Sequence, residues 1–181
     1  SELLGAPIPV LPRRGFVLVT EALPTPSIRH KVYSADYVAN VAASTAGLET
    51  SCVVKSTRAG TILIGASRER VGFDATMNPA IVATLARQAV QLFPFLADVG
   101  LLRVYRGFRP YCPDHLPVIG PDQRVPGVYH ACGHEGAGIG LAPASADLLV
   151  AHLSGVDPLA VTGVDPVPFL PGRFAVSRLP R

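Results

Sequence analysis

The chain has 181 residues, enough for a domain with its own core, and no apolar run approaches the roughly 20 residues of a membrane-spanning helix. Charged residues make up only 16%, and the net charge of +3 comes from scattered arginines rather than a basic block, which argues against nucleic-acid binding. Hydrophobic residues reach 49%, and we expect the surplus to be buried against another chain or another part of the same protein.

The first elements are rich in β-forming residues. Residues 7–14 contain three prolines and should be extended, and residues 15–21 form a short buried strand. Residues 51–57 and 61–66 flank Arg58-Ala59-Gly60, a three-residue loop with glycine last. That spacing is typical of a β-hairpin.

A helix follows the hairpin. Asn78 and Pro79 form an N-cap followed by proline at the first helical position. Apolar residues then recur every three to four positions as far as about Phe93, and Pro94 ends the helix. Residues 30–38, before the hairpin, carry strand formers that alternate only weakly.

The second half alternates short strands with turns. Strands are predicted over residues 99–108, 118–120 and 128–132, and the last predicted helix spans about residues 140–153. Gly155 is placed to end that helix.

Arg109 is the first candidate binding residue. It lies in a proline-rich segment that we predict to be a stiff loop, and Pro110 restricts Arg109 to extended backbone angles. A guanidinium aimed in this way can bind a carboxylate through two hydrogen bonds. The alternative is an arginine that ties the loop to a carbonyl group or to Asp114.

The glycine-rich segment (residues 133–140, Gly-His-Glu-Gly-Ala-Gly-Ile-Gly) is the second candidate. Its four glycines leave backbone open to a ligand, and the helix after it offers unbonded N–H groups and a partial positive charge. The segment lacks the Gly-Lys-Ser/Thr ending of a phosphate loop and the acidic partner of a dinucleotide fingerprint. Tight packing is the alternative explanation for the glycines.

Other titratable residues allow a weaker hypothesis. His130, Cys132 and His134 alternate along a strand near Cys112 and His115, so a small metal-binding module is conceivable, although the spacing matches no common zinc pattern. We interpret the cysteines instead as buried apolar residues.

Three further residues receive structural interpretations. Glu135 is the only carboxylate in the glycine-rich segment; it could be catalytic, but a solvent-facing position is favoured. His30 and His152 are interpreted as structural.

Two motifs resemble those of a known family. They are Gly-x-Arg-Pro-x-x-Pro-Asp-x-x-Pro-x-x-Gly at residues 107–120 and Gly-His-x-x-x-Gly-Ile-x-Leu-Ala-Pro at residues 133–143. At this spacing the chain resembles, over roughly residues 3–155, the C-terminal half of D-amino-acid oxidase family flavoproteins. The pattern is closest to glycine-oxidase-like and cyanide-synthase-like members.

The resemblance implies FAD as cofactor, an amine or amino acid as substrate, and hydride transfer from substrate to flavin N5 that leaves an imine. It implies that Arg109 holds the substrate carboxylate. It also implies that the flavin ring lies along Gly133, His134, Gly136, Gly138, Ile139 and Gly140. Where some members carry an additional arginine in the glycine-rich segment, this chain has Gly136 or a neighbour.

The implied fold is α+β: a mostly antiparallel substrate-binding sheet with a flanking helix, plus the last strand and helix of a Rossmann-like FAD domain. Residues 1–20 would lead from the FAD domain into a substrate-binding domain at residues 15–110. Residues 111–155 would form the flavin-ring side of the FAD domain, and residues 156–181 a proline-rich tail.

The chain begins at Ser1 without an initiator methionine or signal sequence, and it contains no Gly-x-Gly-x-x-Gly. We therefore expect an N-terminal FAD-binding half or partner subunit that carries the dinucleotide fingerprint. The expected location is the cytoplasm, either free or at the surface of its membrane. A non-catalytic subunit that kept the fold is the alternative function.

Overall fold

The computed structural model describes residues 2–24 and 27–174 and divides into two compact units. We call residues 12–108 the sheet unit, and residues 1–11 together with 109–181 the helix unit. The predicted α+β class is confirmed, because an antiparallel sheet and helices make up the structure. The assignment of the four predicted segments to substrate and FAD domains stays a prediction.

A five-stranded sheet forms the main architecture, in the order β2-β3-β4-β1-β5. Its strands are β1 (Leu11–Ala22), β2 (Val32–Tyr33), β3 (Glu49–Ser56), β4 (Thr61–Arg68) and β5 (Leu101–Tyr111). The pairs β2–β3, β3–β4 and β1–β4 are antiparallel. The predicted hairpin is confirmed as β3–β4, and Gly60 in its loop has φ +87°, a conformation that favours glycine.

The described part of the sheet unit contains two α-helices and the 3-10 helix Pro94–Asp98. The weakly alternating residues 30–38 form only the two-residue β2 and the start of α1 (Asp36–Ala42). The predicted second helix is confirmed as α2 (Pro79–Leu92), where the Asn78 side chain accepts hydrogen bonds from the amides of Ala80 and Ile81.

The core of the sheet unit lies between α2 and one face of the sheet. Ile81, Leu85 and Ala89 of α2 are buried against alternating strand residues such as Phe16 and Ile64. Replacing Ile81 or Leu85 with alanine would cost about 2–5 kcal/mol, so this packing stabilises the sheet unit.

The helix unit contains the second sheet and the remaining helices. Strands β6 (Val118–Pro121) and β7 (Tyr129–Cys132) pair antiparallel, and α3 (Gly138–Ser154) follows β7. The helix begins two residues earlier than predicted and ends at Gly155, whose φ of +68° gives the expected glycine C-cap.

The proline-rich tail also folds. It contains α4 (Pro158–Thr162) and two short 3-10 helices, Val167–Phe169 and Pro171–Phe174. Residues 175–181 of the predicted tail lie outside the described residues.

Large apolar side chains remain exposed in both units, including Leu102 at 70% in the sheet unit and Ile139 at 97% in the helix unit. The expected apolar surplus is therefore present at the surface. Within residues 2–24 and 27–174, none of the helices combines the length and the apolar character needed to cross a bilayer.

Candidate functional site

Arg109 lies in a strand, which corrects the prediction of a loop. It is the third residue from the end of β5, the edge strand of the large sheet, and its side chain is half-buried. The extended angles that Pro110 imposes on Arg109 suit a strand, and an edge strand tolerates the missing N–H of proline. The guanidinium is thus carried by a regular element.

The segment after β5 is fixed by the tail. The Asp114 carboxylate accepts hydrogen bonds from Arg173 Nε at 2.6 Å and Nη2 at 3.3 Å, and Arg173 also donates to the Leu116 carbonyl at 2.8 Å. Although burial alone would raise the Asp114 pKa, the hydrogen bonds that the carboxylate accepts from Arg173 and from the Leu116 amide hold it below its ordinary value. Asp114, named above as a possible partner of Arg109, is bound by Arg173.

The glycine-rich segment is tied directly to the end of β5. The amide of Glu135 donates to the carbonyl oxygen of Pro110 at 3.2 Å. Gly133 is buried with φ +76°, and a Cβ there would lie 3.4 Å from both Cys112 Cβ and Val10 Cγ2. Two elements that the sequence separates by more than 20 residues therefore meet next to Arg109.

The N-terminus of α3 is open. Ala137 at the N-cap has no side chain that could accept from the first helical amides. A Cβ added at Gly136 or Gly140 would meet no atom within 4 Å, and Ile139 between them is 97% exposed. Exposed backbone, an apolar side chain and a partial positive charge fit a flat aromatic ring with an anionic edge, as in the flavin of FAD.

His134 points into the helix that follows it. Its Nε2 lies 2.8 Å from the hydroxyl oxygen of Ser145, which is buried. Burial lowers the pKa of His134 below its ordinary value of 6.5, so the ring is neutral at pH 7. A Cβ at Gly138 would approach His134 Cβ to 3.3 Å, so this glycine allows the helix to start beside the imidazole.

Glu135 does not face solvent, which corrects the favoured interpretation. Its side chain is 14% exposed, and Oε1 lies 2.8 Å from His115 Nδ1. The local sequence gave no sign of this contact because the two residues are 20 positions apart.

The metal-binding hypothesis gains no support. His130 Nε2 lies 2.9 Å from Asp122 Oδ2, and His134 pairs with Ser145. Among residues 2–24 and 27–174, no group of three His, Cys, Asp or Glu side chains could hold a metal ion. Cys52 and Cys112 are buried as expected for apolar residues, and Cys132 is half-buried.

Sequence reasoning also missed two further polar contacts in the helix unit. One is the hydrogen bond that the Asp122 carboxylate accepts from Arg124 Nη2 at 2.6 Å. The other is the ion pair between Arg173 and Asp114. Asp122 and Arg124 are two residues apart in a predicted turn, a spacing that could have suggested a local ion pair. The Arg173 contact spans 59 residues and has no local signal.

The α+β fold agrees with the class of protein that the two sequence motifs indicate. The chain belongs to the DAO family of FAD dependent oxidoreductases, whose family model matches residues 1–152.

Several relatives are similar to this chain. The hydrogen cyanide synthase subunit HcnC of Pseudomonas protegens is 35% identical over 176 residues, which cover 97% of this chain and 37% of HcnC. The glycine oxidase of Pseudomonas putida is 36% identical over 114 residues, which cover 63% of this chain and 30% of that enzyme. The matched part of the chain thus spans only 37% and 30% of the lengths of these two curated relatives.

Solved structures show the same fold. The glycine oxidase of Geobacillus kaustophilus matches with a TM-score of 0.75 at 25% identity, over 92% of this chain and 40% of that one. The iminodiacetate oxidase of Chelativorans sp. BNC1 matches with a TM-score of 0.76 at 21% identity, over 94% of this chain and 42% of that one.

Proposed function

We propose that this chain supplies the substrate-carboxylate and flavin-ring side of an FAD-dependent oxidoreductase that oxidises an amino acid or amine. The observation that supports this most directly is the hydrogen bond from the Glu135 amide to the Pro110 carbonyl. It brings the open start of α3 beside Arg109 in a chain whose family is FAD-dependent.

The glycine-rich segment would hold the flavin ring. Gly136 and Gly140 leave room against the backbone, Ile139 offers an apolar contact, and Gly133 lets the segment turn. The first turn of α3 would place roughly half a positive charge near the ring, which stabilises negative charge there. FAD, when bound, would supply the acceptor for a hydride from the substrate carbon that bears nitrogen, leaving an imine.

Arg109 would hold the substrate. A planar guanidinium can donate two parallel hydrogen bonds to a carboxylate, which fixes orientation as well as position. Within the helix unit, the backbone next to Arg109 is held by the hydrogen bond from the Glu135 amide to the Pro110 carbonyl, which would favour a preset position for the substrate carboxylate. We assign no residue of this chain as a general base, which is compatible with oxidation of the neutral amine.

The adenosine diphosphate part of FAD would be bound elsewhere. The 181-residue sequence contains no Gly-x-Gly-x-x-Gly. We infer that residues outside these 181, on the same polypeptide or on a partner subunit, carry the dinucleotide fingerprint. The exposed Ile139 is one part of the surface that such a segment, or the flavin itself, would cover.

The test uses the intact protein isolated from its native host together with anything that co-purifies. We expect flavin absorbance bands, and bleaching of those bands when glycine or another amino acid is added without oxygen. Mass spectrometry of the same sample identifies any companion polypeptide. A folded protein without bound FAD, and with none taken up on addition, would contradict the proposal and favour the non-catalytic alternative.

A further inference from the structure

His115 and Glu135 share an unusual backbone conformation. Among the described residues, they are the only two that are not glycine and yet have positive φ, +59° and +49°. Side chains other than glycine are strained in this left-handed region. Strain of this kind persists only where surrounding contacts hold it, and it often marks a functional position.

The side chains of these two residues bind each other. His115 Nδ1 and Glu135 Oε1 are 2.8 Å apart, and the two side chains are 27% and 14% exposed. A glycine at either position would remove the strain but also the contact. The side-chain contact therefore explains why the chain has histidine and glutamate where glycine would be easier to accommodate.

The pair joins the two parts of the candidate site. His115 lies in the segment that follows β5, and its ring packs edge-on against Tyr111, the last residue of β5, with centroids 5.4 Å apart. Glu135 lies in the glycine-rich segment and donates its amide to Pro110. Glu135 is thus connected to the end of β5 twice: its amide binds Pro110 directly, and its side chain binds His115, which packs on Tyr111.

His115 is itself held from outside the pair. Arg173 binds the Asp114 carboxylate on one side of His115 and the Leu116 carbonyl on the other. The His115 amide also donates to the Cys112 carbonyl at 2.9 Å. The backbone at His115 is therefore held by these contacts of its neighbours, and the Glu135 side chain binds to the His115 ring.

We propose that His115 and Glu135 are positioning residues that fix the glycine-rich segment relative to the strand end that carries Arg109. This deepens the proposed function and rests on it, since the distance so fixed is the one between the substrate carboxylate and the flavin ring. The pair acts through alignment, without contact to the substrate.

Three substitutions of Glu135 distinguish the effect of the His115 contact from the effects of the negative charge and of the backbone strain. Glu135→Gln keeps an oxygen that accepts from His115 Nδ1 and removes the negative charge. Glu135→Ala removes the contact and keeps a Cβ, and Glu135→Gly removes the contact and relieves the backbone strain. Glu135→Gly also guards against misfolding, because it adds no strain.

The first measurement is amide hydrogen exchange of residues 133–140 in the intact protein, which requires neither FAD nor activity. We expect exchange at least about tenfold faster in Glu135→Ala and Glu135→Gly, and within about twofold of wild type in Glu135→Gln. Wild-type exchange in Glu135→Gly would overturn the proposal, because the contact would then be dispensable. Equal loss in Glu135→Gln and Glu135→Ala would also overturn it, because charge would matter instead of the hydrogen bond.

The second measurement separates alignment from substrate binding. With glycine as substrate, we expect kcat to fall about tenfold or more in Glu135→Ala and Glu135→Gly, while inhibition by acetate, a carboxylate probe for Arg109, stays within about twofold. Glu135→Gln should restore most of kcat. A parallel loss of kcat and acetate binding would contradict alignment and indicate general damage. If the exchange results hold while no FAD is found, the proposed function fails and the pair stands as a structural clamp.

Discussion

The amide of Glu135 donates a hydrogen bond to the carbonyl oxygen of Pro110 across 3.2 Å. This single contact places the glycine-rich segment against the end of β5, one residue from Arg109. Every role proposed for the site depends on this proximity. A substrate whose carboxylate is bound by Arg109 can react with the flavin only if the glycine-rich segment holds the flavin ring close by.

Replacing Arg109 tests its proposed role with the substrate. In Arg109→Ala we expect KM for an amino-acid substrate to rise about 10- to 100-fold, because a charge-assisted pair of hydrogen bonds to the carboxylate is lost. Arg109→Lys should recover only part of the loss, since an ammonium cannot form the planar fork. Steady-state kinetics with glycine provides the measurement.

Arg106 supplies the matched control. It lies on the same strand, is exposed, and by strand alternation is on the opposite face from Arg109. Arg106→Ala should leave KM unchanged. A similar rise in both variants would mean that net charge, rather than the position of Arg109, determines substrate affinity.

Two glycines of the glycine-rich segment should respond differently to alanine. Gly133→Ala places a Cβ 3.4 Å from Cys112 and Val10 at φ +76°, so we expect a loss of about 1–2 kcal/mol in unfolding free energy. Gly136→Ala meets open space and should change stability by less than about 0.5 kcal/mol, yet weaken FAD binding because its methyl group enters the flavin's space. Thermal unfolding and FAD titration measure the two effects. Unchanged FAD affinity in Gly136→Ala would remove this residue from the flavin site.

Asp122 should make the helix unit sensitive to acid. Hydrogen bonds from Arg124, from the Arg124 amide and from His130 hold the pKa of this carboxyl well below its usual value of 3.8, even though burial opposes the shift. Since the folded-state pKa is lowered, its stabilisation is present above about pH 4 and is lost as pH falls further.

Asp122→Asn provides the measurement for that carboxyl. We expect a loss of about 2–3 kcal/mol in unfolding free energy at pH 7, because His130 and Arg124 lose a charged acceptor. The difference in unfolding free energy between wild type and Asp122→Asn should become smaller as pH falls below 4. A gap that stays constant from pH 7 to pH 3 would show that the carboxylate charge contributes nothing.

His134 should stay neutral through the physiological range. Because burial lowers its pKa below 6.5, the unfolded chain takes up a proton before the folded chain does, and stability should fall as pH drops below about 6.5. Ring resonances followed by NMR should titrate below 6.5 for His134. His134→Gln, which cannot take up that proton, should show a flatter dependence of unfolding free energy on pH between 6.5 and 5. A His134 midpoint above 6.5 would be incompatible with burial as the dominant effect.

Local signals predicted local structure well. Helix α2 was predicted to within one residue at its end. Its signals, the N-cap Asn78, the proline after it and the apolar periodicity, all act between residues a few positions apart. The β3–β4 hairpin followed from Gly60 and its flanking β-forming runs for the same reason. The weakly alternating residues 30–38 formed only the two-residue β2 and the start of α1, since weak alternation gives no decisive preference.

Errors arose where a distant partner decided the outcome. Glu135 was expected in solvent and is bound to His115, and Arg109 was expected in a loop and is in a strand that pairs within the large sheet. The start of α3 at Gly138 instead of Gly140 is a separate, local error: the Ala137 amide donates to the His134 carbonyl at 3.0 Å and closes a turn directly before the helix. Glycines give no local preference that would have fixed that boundary.

From the sequence alone, the two motifs around Arg109 and the glycines carried the resemblance to the family, and that resemblance implied the α+β class, because motif residues and their spacing can be read along the chain without knowledge of distant contacts. Only the tertiary structure decided that Glu135 reaches both Pro110 and His115, and that Arg173 anchors the segment between them. Those contacts join residues 20 to 60 positions apart, and they form only once the packing of the helix unit has brought their backbones together.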